Sequence, residues 1–402
     1  MRVLLLTETF LPEIGGGERQ AQLLSQALTK RGHSVTIVTR RSSQELAREQ
    51  LHDGVLVIRI GPAGRGRWKK WGLVISALPL LTKLRSQTDV VLVSGYRILG
   101  LPAVLAGRMF GWKCVFKADS PGEMSGEFFR AGLAGLHMQP SSAPVRLALA
   151  TRNRLLRHAD AFVAISNEIA TELRANGVPA ECTYEVPNGV DTGRFRPASS
   201  AERMALQRRL RLPNGPLAIY TGRLVTYKGL PLLLRVWCEL RRSGTPGTLV
   251  MVGTGSADIH NCENQLHEYV ESHGLNDSVV FTGAVDNVHD YLRASDVFVF
   301  PTEKEAFGAS LIEAMACGLP SVATRVGGIP DYFEDGDNGI MVDPSCFEQL
   351  REGIATLLAG GEQVAALGRS ARQTVIARFS HDIVADEYLR VFDSVVGRCA
   401  SA

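Results

Sequence analysis

Two glutamates, Glu305 and Glu313, stand on either side of a glycine turn in the run Glu305-Ala306-Phe307-Gly308-Ala309-Ser310-Leu311-Ile312-Glu313. An apolar stretch, Val297 to Phe300, leads into this run; Gly318 and Pro320 follow it. The pattern reads as a strand, a tight turn at Phe307 and Gly308, and a short helix that Gly318 ends and Pro320 keeps from resuming. Backbone N–H groups around Ala309, Ser310 and Leu311 would then face an anion, which the helix dipole also favours. The carboxylates are not spaced as a retaining glycosidase pair, which sits ~5–5.5 Å apart. Eight helical residues would separate them by about 12 Å. That length suits a ligand with hydroxyls at both ends and phosphates between, as in a nucleotide diphosphate sugar: sugar at Glu305, diphosphate at the helix start, ribose at Glu313. The plain alternative is one solvated loop glutamate and one helix glutamate. Against it, Glu313 lies among Leu311, Ile312, Ala314 and Met315 and needs a partner if buried.

The elements around this run repeat a simple unit. Arg2 to Thr7 reads as a strand, a loop runs from Glu8 to Gly17, and Ala21, Leu23, Leu24, Ala27 and Leu28 mark a helix that Gly32 breaks before the strand Val35–Thr39. Further strands are expected at Val55–Ile60, Val90–Ser94, Lys113–Lys117 and Ala161–Ile165. The pattern restarts at Ala218–Thr221, with a helix over Pro231–Arg241 and strands at Thr248–Val252, Val279–Thr282, Val297–Phe300 and Ser321–Ala323. Two βαβ series predict an α/β fold of two doubly wound domains facing a central cleft, with the seam in the Asn-, Gly-, Pro- and Ser-rich stretch Pro187–Pro216.

Composition excludes several classes. A net charge of +3 over 402 residues does not suggest nucleic acid as a partner. Seven scattered cysteines without a C-x-x-C pair indicate neither a disulfide framework nor a zinc site and fit a reducing cytoplasm. His33, His137 and His158 have no metal spacing, and no metal is expected. The N-terminus enters a strand at once, and no uncharged apolar run would span a bilayer. A dinucleotide oxidoreductase is disfavoured because no G-x-G-x-x-G follows the first strand.

The chain resembles the retaining glycosyltransferases of family 4, which have the GT-B fold. Glu305 and Glu313 reproduce the family's E-x7-E motif. Pro12-Glu13-Ile14-Gly15-Gly16-Gly17-Glu18-Arg19 resembles its N-terminal glycine loop, Arg31-Gly32-His33-Ser34-Val35 the turn before its second strand, and Pro187-Asn188-Gly189-Val190-Asp191 its interdomain boundary. Gly222-Arg223-Leu224 with Lys228-Gly229 resembles its donor Arg/Lys pair. The resemblance implies an acceptor domain over 1–190, a donor domain over 191–377, and a last helix, within about 378–402, that returns to the first domain.

It also implies roles. Arg223 and Lys228 would neutralise the leaving diphosphate without a metal, the Arg bidentately and the Lys as a point charge. Residues just past a strand's C-terminal end in an open α/β sheet face a ligand crevice. Gly16 and Gly17 would bring backbone amides close to the donor phosphate and acceptor, Gly222 would contact the donor, and Val285, after the strand ending at Thr282, would meet the base through its main chain. Members of the family often carry a histidine near the transferred sugar; here Ala118 or Asp119 stands in its place. Asp119 either accepts a sugar hydroxyl or starts a turn before Pro121.

The implied reaction is hexosyl transfer from a nucleotide diphosphate sugar, a UDP-sugar favoured over a GDP-sugar, to a hydroxyl of a lipid-linked or cell-surface glycan. The sugar nucleotide is substrate, and no cofactor is expected. Alternatives are a soluble acceptor such as a sugar phosphate, and a nucleotide-sugar binding subunit without catalysis. The basic aromatic run Arg65-Gly66-Arg67-Trp68-Lys69-Lys70-Trp71 bears on the acceptor. Trp beside Lys and Arg suits a bilayer interface, and four basic residues would contribute up to roughly 4 kcal/mol on anionic lipid. The same run also reads as a solvated loop leading to a core helix, and Pro79 would interrupt any long amphipathic face. Peripheral contact with the inner face of the membrane is the expectation under the first reading.

Overall fold

The computed structural model describes all residues except 14, 65–66, 130–141, 256–257 and 398–402; within the helix over 67–84 the side chains of 67–71 and 73–75, and that of residue 128, are also left undescribed. The chain forms two compact units, residues 1–189 with 381–402, and residues 190–380. The division falls one residue before, and the return three residues after, the boundaries read from sequence.

The first unit holds an eight-stranded sheet in the order β3-β4-β2-β1-β5-β6-β7-β8, where β1 is Arg2–Thr7, β2 Ser34–Arg40, β3 Glu49–His52, β4 Val55–Ile60, β5 Val90–Ser94, β6 Lys113–Ala118, β7 Ala161–Ala164 and β8 Thr183–Glu185. Only the edge strand β3 runs antiparallel. Strands β1, β5, β6 and β7 are buried along nearly their whole length, as parallel strands covered on both faces must be. The helices are α1 (Gly16–Lys30), α2 (Arg67–Leu84), α3 (Tyr96–Phe110), α4 (Ala143–Leu156), α5 (Asn167–Ala175) and, at the far end of the chain, His381–Gly397. That terminal helix packs on α1, placing Val384, Tyr388, Val391 and Phe392 in one core with Leu5, Leu24, Leu28 and Ile37.

The second unit begins with α6 (Ser200–Leu210), capped by a reciprocal Ser199–Glu202 box. The stretch read as a seam therefore contains a helix, whose S-x-x-E signature is present in the sequence. A six-stranded, wholly parallel sheet follows in the order β11-β10-β9-β12-β13-β14: β9 is Leu217–Thr221, β10 Thr248–Val252, β11 Val279–Gly283, β12 Val297–Phe300, β13 Ser321–Thr324 and β14 Ile340–Val342. Its helices are α7 (Leu230–Arg242), α8 (Glu263–Ser272), α9 (Val288–Ala294), α10 (Ala309–Ala316), α11 (Phe347–Ala359) and α12 (Glu362–Arg378). The terminal helix of the first unit is thus α13. In α7 the apolar positions Leu230, Leu233, Leu234, Trp237 and Leu240 fall on one buried stripe at helical spacing. Among the described residues no helix is long and apolar enough to cross a membrane.

Candidate active site

In the second unit the chemistry gathers at the C-terminal ends of β9 and β12, neighbours in the sheet. Lys228 ends a single 3-10 turn, Thr226–Lys228, that follows β9. Its ammonium lies 2.6 Å from Glu305 Oε2, over the ring of Phe300 at 5.4 Å and that of Tyr227 at 5.8 Å. Gly229 holds the turn in place. Its φ is +69°, and an added Cβ would stand 1.9 Å from the carbonyl oxygen of Pro301, so no other residue fits without moving the backbone. The other oxygen of Glu305 accepts the amide of Ala306 at 3.1 Å.

Gly308 precedes α10 with φ +95°, and a Cβ there would meet Tyr332 Oη at 2.7 Å. The Tyr332 hydroxyl donates to the Phe307 carbonyl at 2.7 Å, which pins the turn from beneath. Tyr332 and Tyr220 are fully buried, and burial first, then the charge of Glu305, hold both phenols well above their ordinary range. The first backbone bonds of α10 run from Leu311 and Ile312 to Gly308. The amides of Ala309 and Ser310 therefore precede the helical ladder, as at any helix start. Glu313 is the half-buried residue on a helix otherwise buried from Leu311 to Ala316. Because α10 starts only at Ala309, the span from Glu305 to Glu313 is part turn and part helix; the 12 Å separation assumed a helix throughout and does not hold as an estimate.

Gly222 and Arg223 follow β9. Arg223 is exposed, pairs with Asp258 at 2.5 Å and leans over Tyr227 at 5.8 Å. Asp258 was not singled out in the sequence, and nothing local marks it, since it comes from the loop after β10. Val285 lies half-buried past β11. Asp335 and Asp337 occupy a turn, where Asp335 accepts the amide of Met341. Among the described residues no group of three or more His, Cys, Asp or Glu is arranged for a metal ion.

The first unit has its own charged centre. Asp119, at the end of β6, pairs with the ammonium of Lys117 and accepts the Ser94 hydroxyl at 2.6 Å, while its amide donates to Glu123 Oε1 at 3.0 Å. Lys117 and Glu123 are buried. Burial first, then the charge of Asp119, pushes the Glu123 carboxyl up to about 7. Gly17 and Gly95 flank the Asp119 carboxylate, with added Cβ atoms at 3.9 and 3.5 Å from Oδ2. Lys117, Ser94 and Glu123 went unremarked in the sequence; a lysine at an inward position of an apolar strand was the available signal. Gly16 and Gly17 lie in the first turn of α1, not in the loop before it, because the helix starts at Gly16 with Gly15 as its cap. Arg65 lies outside the described residues. Arg67, Trp68, Lys69, Lys70 and Trp71 lie in α2, so these five residues are helix rather than loop, with their side chains outside the description.

This fold, two doubly wound units with strand-end charges around a helix start, defines a GT-B glycosyltransferase. Residues 203–374 match the model for glycosyl transferases group 1, and residues 14–194 match that for glycosyltransferase family 4. The chain belongs to glycosyltransferase family 4, a nucleotide-sugar-dependent family. It is 29% identical to a GDP-mannose-dependent alpha-mannosyltransferase of Mycobacterium tuberculosis over 99% of this chain and 98% of that one. It is 28% identical to a phosphatidylinositol N-acetylglucosaminyltransferase component of Arabidopsis thaliana, over 87% and 73% respectively. The D-inositol 3-phosphate glycosyltransferase of Xylanimonas cellulosilytica is also 28% identical, over 96% and 93%. Among solved structures, sucrose-phosphate synthase from Thermosynechococcus elongatus superposes with a TM-score of 0.82 at 22% identity, covering 99% of this chain and all of that one. An Anabaena protein solved with UDP, Alr3699/HepE, gives 0.74 at 20% identity, covering 98% and 100%.

Proposed function

We propose that this protein is a retaining glycosyltransferase that moves a hexosyl group from a nucleoside diphosphate sugar to a hydroxyl of a lipid-linked acceptor. The observation that carries the reading is the Lys228–Glu305 pair, 2.6 Å apart and beside the start of α10. A cation, a carboxylate and free helix-terminal amides then stand within one loop cluster, matching a diphosphate joined to a polyol. Lys228 and Arg223 hold the diphosphate, helped by the amides of Ala309 and Ser310. Glu305 accepts sugar hydroxyls, Glu313 the ribose hydroxyls, and the main chain at Val285 meets the base. Asp119, fixed by Lys117 and Ser94 in the first unit, is a carboxylate able to accept a sugar hydroxyl.

In the reaction the bond from the anomeric carbon to the diphosphate oxygen breaks, and the acceptor oxygen bonds that carbon on the same face. The acceptor proton passes to the leaving phosphate oxygen. No protein nucleophile is required, and fixed cations stabilise the charge that develops on the leaving group.

The near full-length mannosyltransferase relative names GDP-mannose, so a donor screen sets GDP-mannose beside the UDP-sugars favoured from sequence. The phosphatidylinositol-directed relative supports a lipid-linked acceptor; the inositol-phosphate enzyme supports the second reading, a soluble phosphorylated polyol. The test is transfer from radiolabelled donor to extracted lipid and to soluble polyol phosphates, with the anomeric configuration of the product read by NMR. Retention, and loss of transfer in Glu305→Gln, are expected. Donor binding with neither transfer nor slow hydrolysis would mark a non-catalytic binding protein.

A further inference from the structure

The segment that carries Arg223 and Lys228 is fastened along its length to the loop after β10. Leu224 donates its amide to the Thr254 carbonyl at 3.1 Å, Thr226 donates to His260 at 3.0 Å, and Cys262 donates back to Leu224 at 3.0 Å. Val225 and Asn261 form an antiparallel bridge between the two stretches. Arg223 and Lys228 each lie over the Tyr227 ring at 5.8 Å, and that ring meets His260 edge-on with centroids 5.4 Å apart.

The loop is itself held. Glu263 Oε2 accepts the Thr254 hydroxyl and the Gly255 amide, each at 2.8 Å. A Cβ on Gly255 would stand 2.0 Å from Asn261 Oδ1 and 2.5 Å from the Leu224 carbonyl oxygen, so the two stretches have closed to contact there. From this loop Asp258 reaches Arg223. Its Oδ1 accepts the His260 amide at 3.0 Å, and its Oδ2 accepts Arg223 Nη1 at 2.5 Å. The acid is the fixed partner, with a side chain 15% exposed; the cation is the long mobile one, 61% exposed.

A guanidinium offers five N–H donors in a rigid fork. Among the described residues Nη1 is the nitrogen of Arg223 that is engaged, which leaves the Nε–Nη2 edge with two parallel donors for a phosphate. We infer that Asp258 is a positioning residue for sugar transfer: it pins Arg223 by Nη1 and pre-sets the Nε–Nη2 edge for the leaving diphosphate. The inference rests on the donor reading above and adds the group that orders its exposed cation. An ion pair with one partner so exposed adds little to folding. Its worth is in ordering a long side chain beforehand, since freedom already lost is not lost again when the ligand binds. The Asp258 charge also repels a bound diphosphate, so its removal should lower turnover without weakening nucleotide binding.

The test is a double-mutant cycle with Asp258→Ala, Arg223→Ala and the two together, using a panel of GDP- and UDP-sugars as donors and following both transfer and slow donor hydrolysis. Asp258→Ala should lower kcat by about tenfold or more, the scale of a misplaced contact. Its Kd for GDP or UDP, by calorimetry, should be unchanged or tighter, and its melting temperature unchanged. Asp258→Asn keeps an acceptor oxygen for Nη1 and should recover part of the loss. In the Arg223→Ala background, Asp258→Ala should have no further effect. The same loss in both backgrounds would overturn the inference, because Asp258 would then act other than through Arg223. Faster turnover in Asp258→Ala would overturn it too, by marking the acid as a competitor for the guanidinium. Failure of the donor reading shows differently: wild type then binds neither nucleotide and turns over no donor, or Arg223→Ala matches wild type in both.

Discussion

Each unit closes a central strand end with a lysine–carboxylate pair, and the two pairs are built for different ends. In the first unit Lys117 and Asp119 come from one strand end; their side chains are 5% and 26% exposed, Ser94 donates to the same carboxylate, and Glu123 accepts the Asp119 amide. In the second unit Lys228 and Glu305 come from separate loops and are 12% and 16% exposed. Lys228 there has one carboxylate oxygen and two ring faces for company, which leaves ammonium donors for an incoming phosphate. The first pair is locked by its surroundings and orients Asp119. The second can exchange partners when a ligand arrives.

The sharpest way to break this comparison is to remove the exchangeable pair. Lys228→Ala and Glu305→Gln should each lower kcat/KM by about 10²–10³, the scale of losing one transition-state charge contact, while the melting temperature moves by a few degrees at most. Steady-state transfer assays with calorimetry on the same samples check this; equal activity in either variant contradicts the assignment. Asp119→Asn should differ in lowering stability as well as turnover. It strands the buried Lys117 cation and should cost about 3 kcal/mol of stability, read from urea unfolding, with Lys117→Met milder because Ser94 still holds the partly exposed carboxylate.

A pH series sharpens the contrast further. Glu123 keeps its proton in the folded protein up to about 7 but loses it near 4.5 when unfolded. The folded state binds the extra proton, so this group's contribution is fullest below about pH 4.5 and falls as pH rises towards 7. Glu123→Gln should remove that fall, so the stability gap between variant and wild type grows by roughly 2–3 kcal/mol from pH 4.5 to pH 8, as denaturant titrations at each pH would show. The smallest effect expected is from Tyr332→Phe. Loss of its bond to the Phe307 carbonyl should cost about 1 kcal/mol and loosen the turn before α10, visible as weaker nucleotide binding by calorimetry.

The comparison also explains what the sequence could reveal. The long buried strands β1, β2, β5, β9, β10 and β12 announce themselves as apolar runs, and the α10 turn is local, so Glu305, Gly308 and Glu313 were legible together. Strands β3, β8 and β14 were missed because they are three or four residues long at sheet edges, and Glu49-Gln50-Leu51-His52 is too polar to register. Asp258 was hidden because its partner, Arg223, sits far along the chain. Lys117 was hidden for another reason: it occupies an inward strand position, where pattern alone assigns a hydrophobic residue, and only the Asp119 carboxylate makes that position tenable.

The measurement that tests the central claim most directly is thermal shift of wild type, Lys228→Ala and Glu305→Gln with GDP, UDP and their sugar conjugates. At about a hundredfold excess over Kd, a donor that binds only the folded state should stabilise wild type by about 2.7 kcal/mol. One nucleotide sugar should shift wild type, with the shift lost in Lys228→Ala and reduced towards that of the bare nucleotide in Glu305→Gln. No shift with any nucleotide, or the same shift in all three proteins, would contradict the placement of the donor at the Lys228–Glu305 pair.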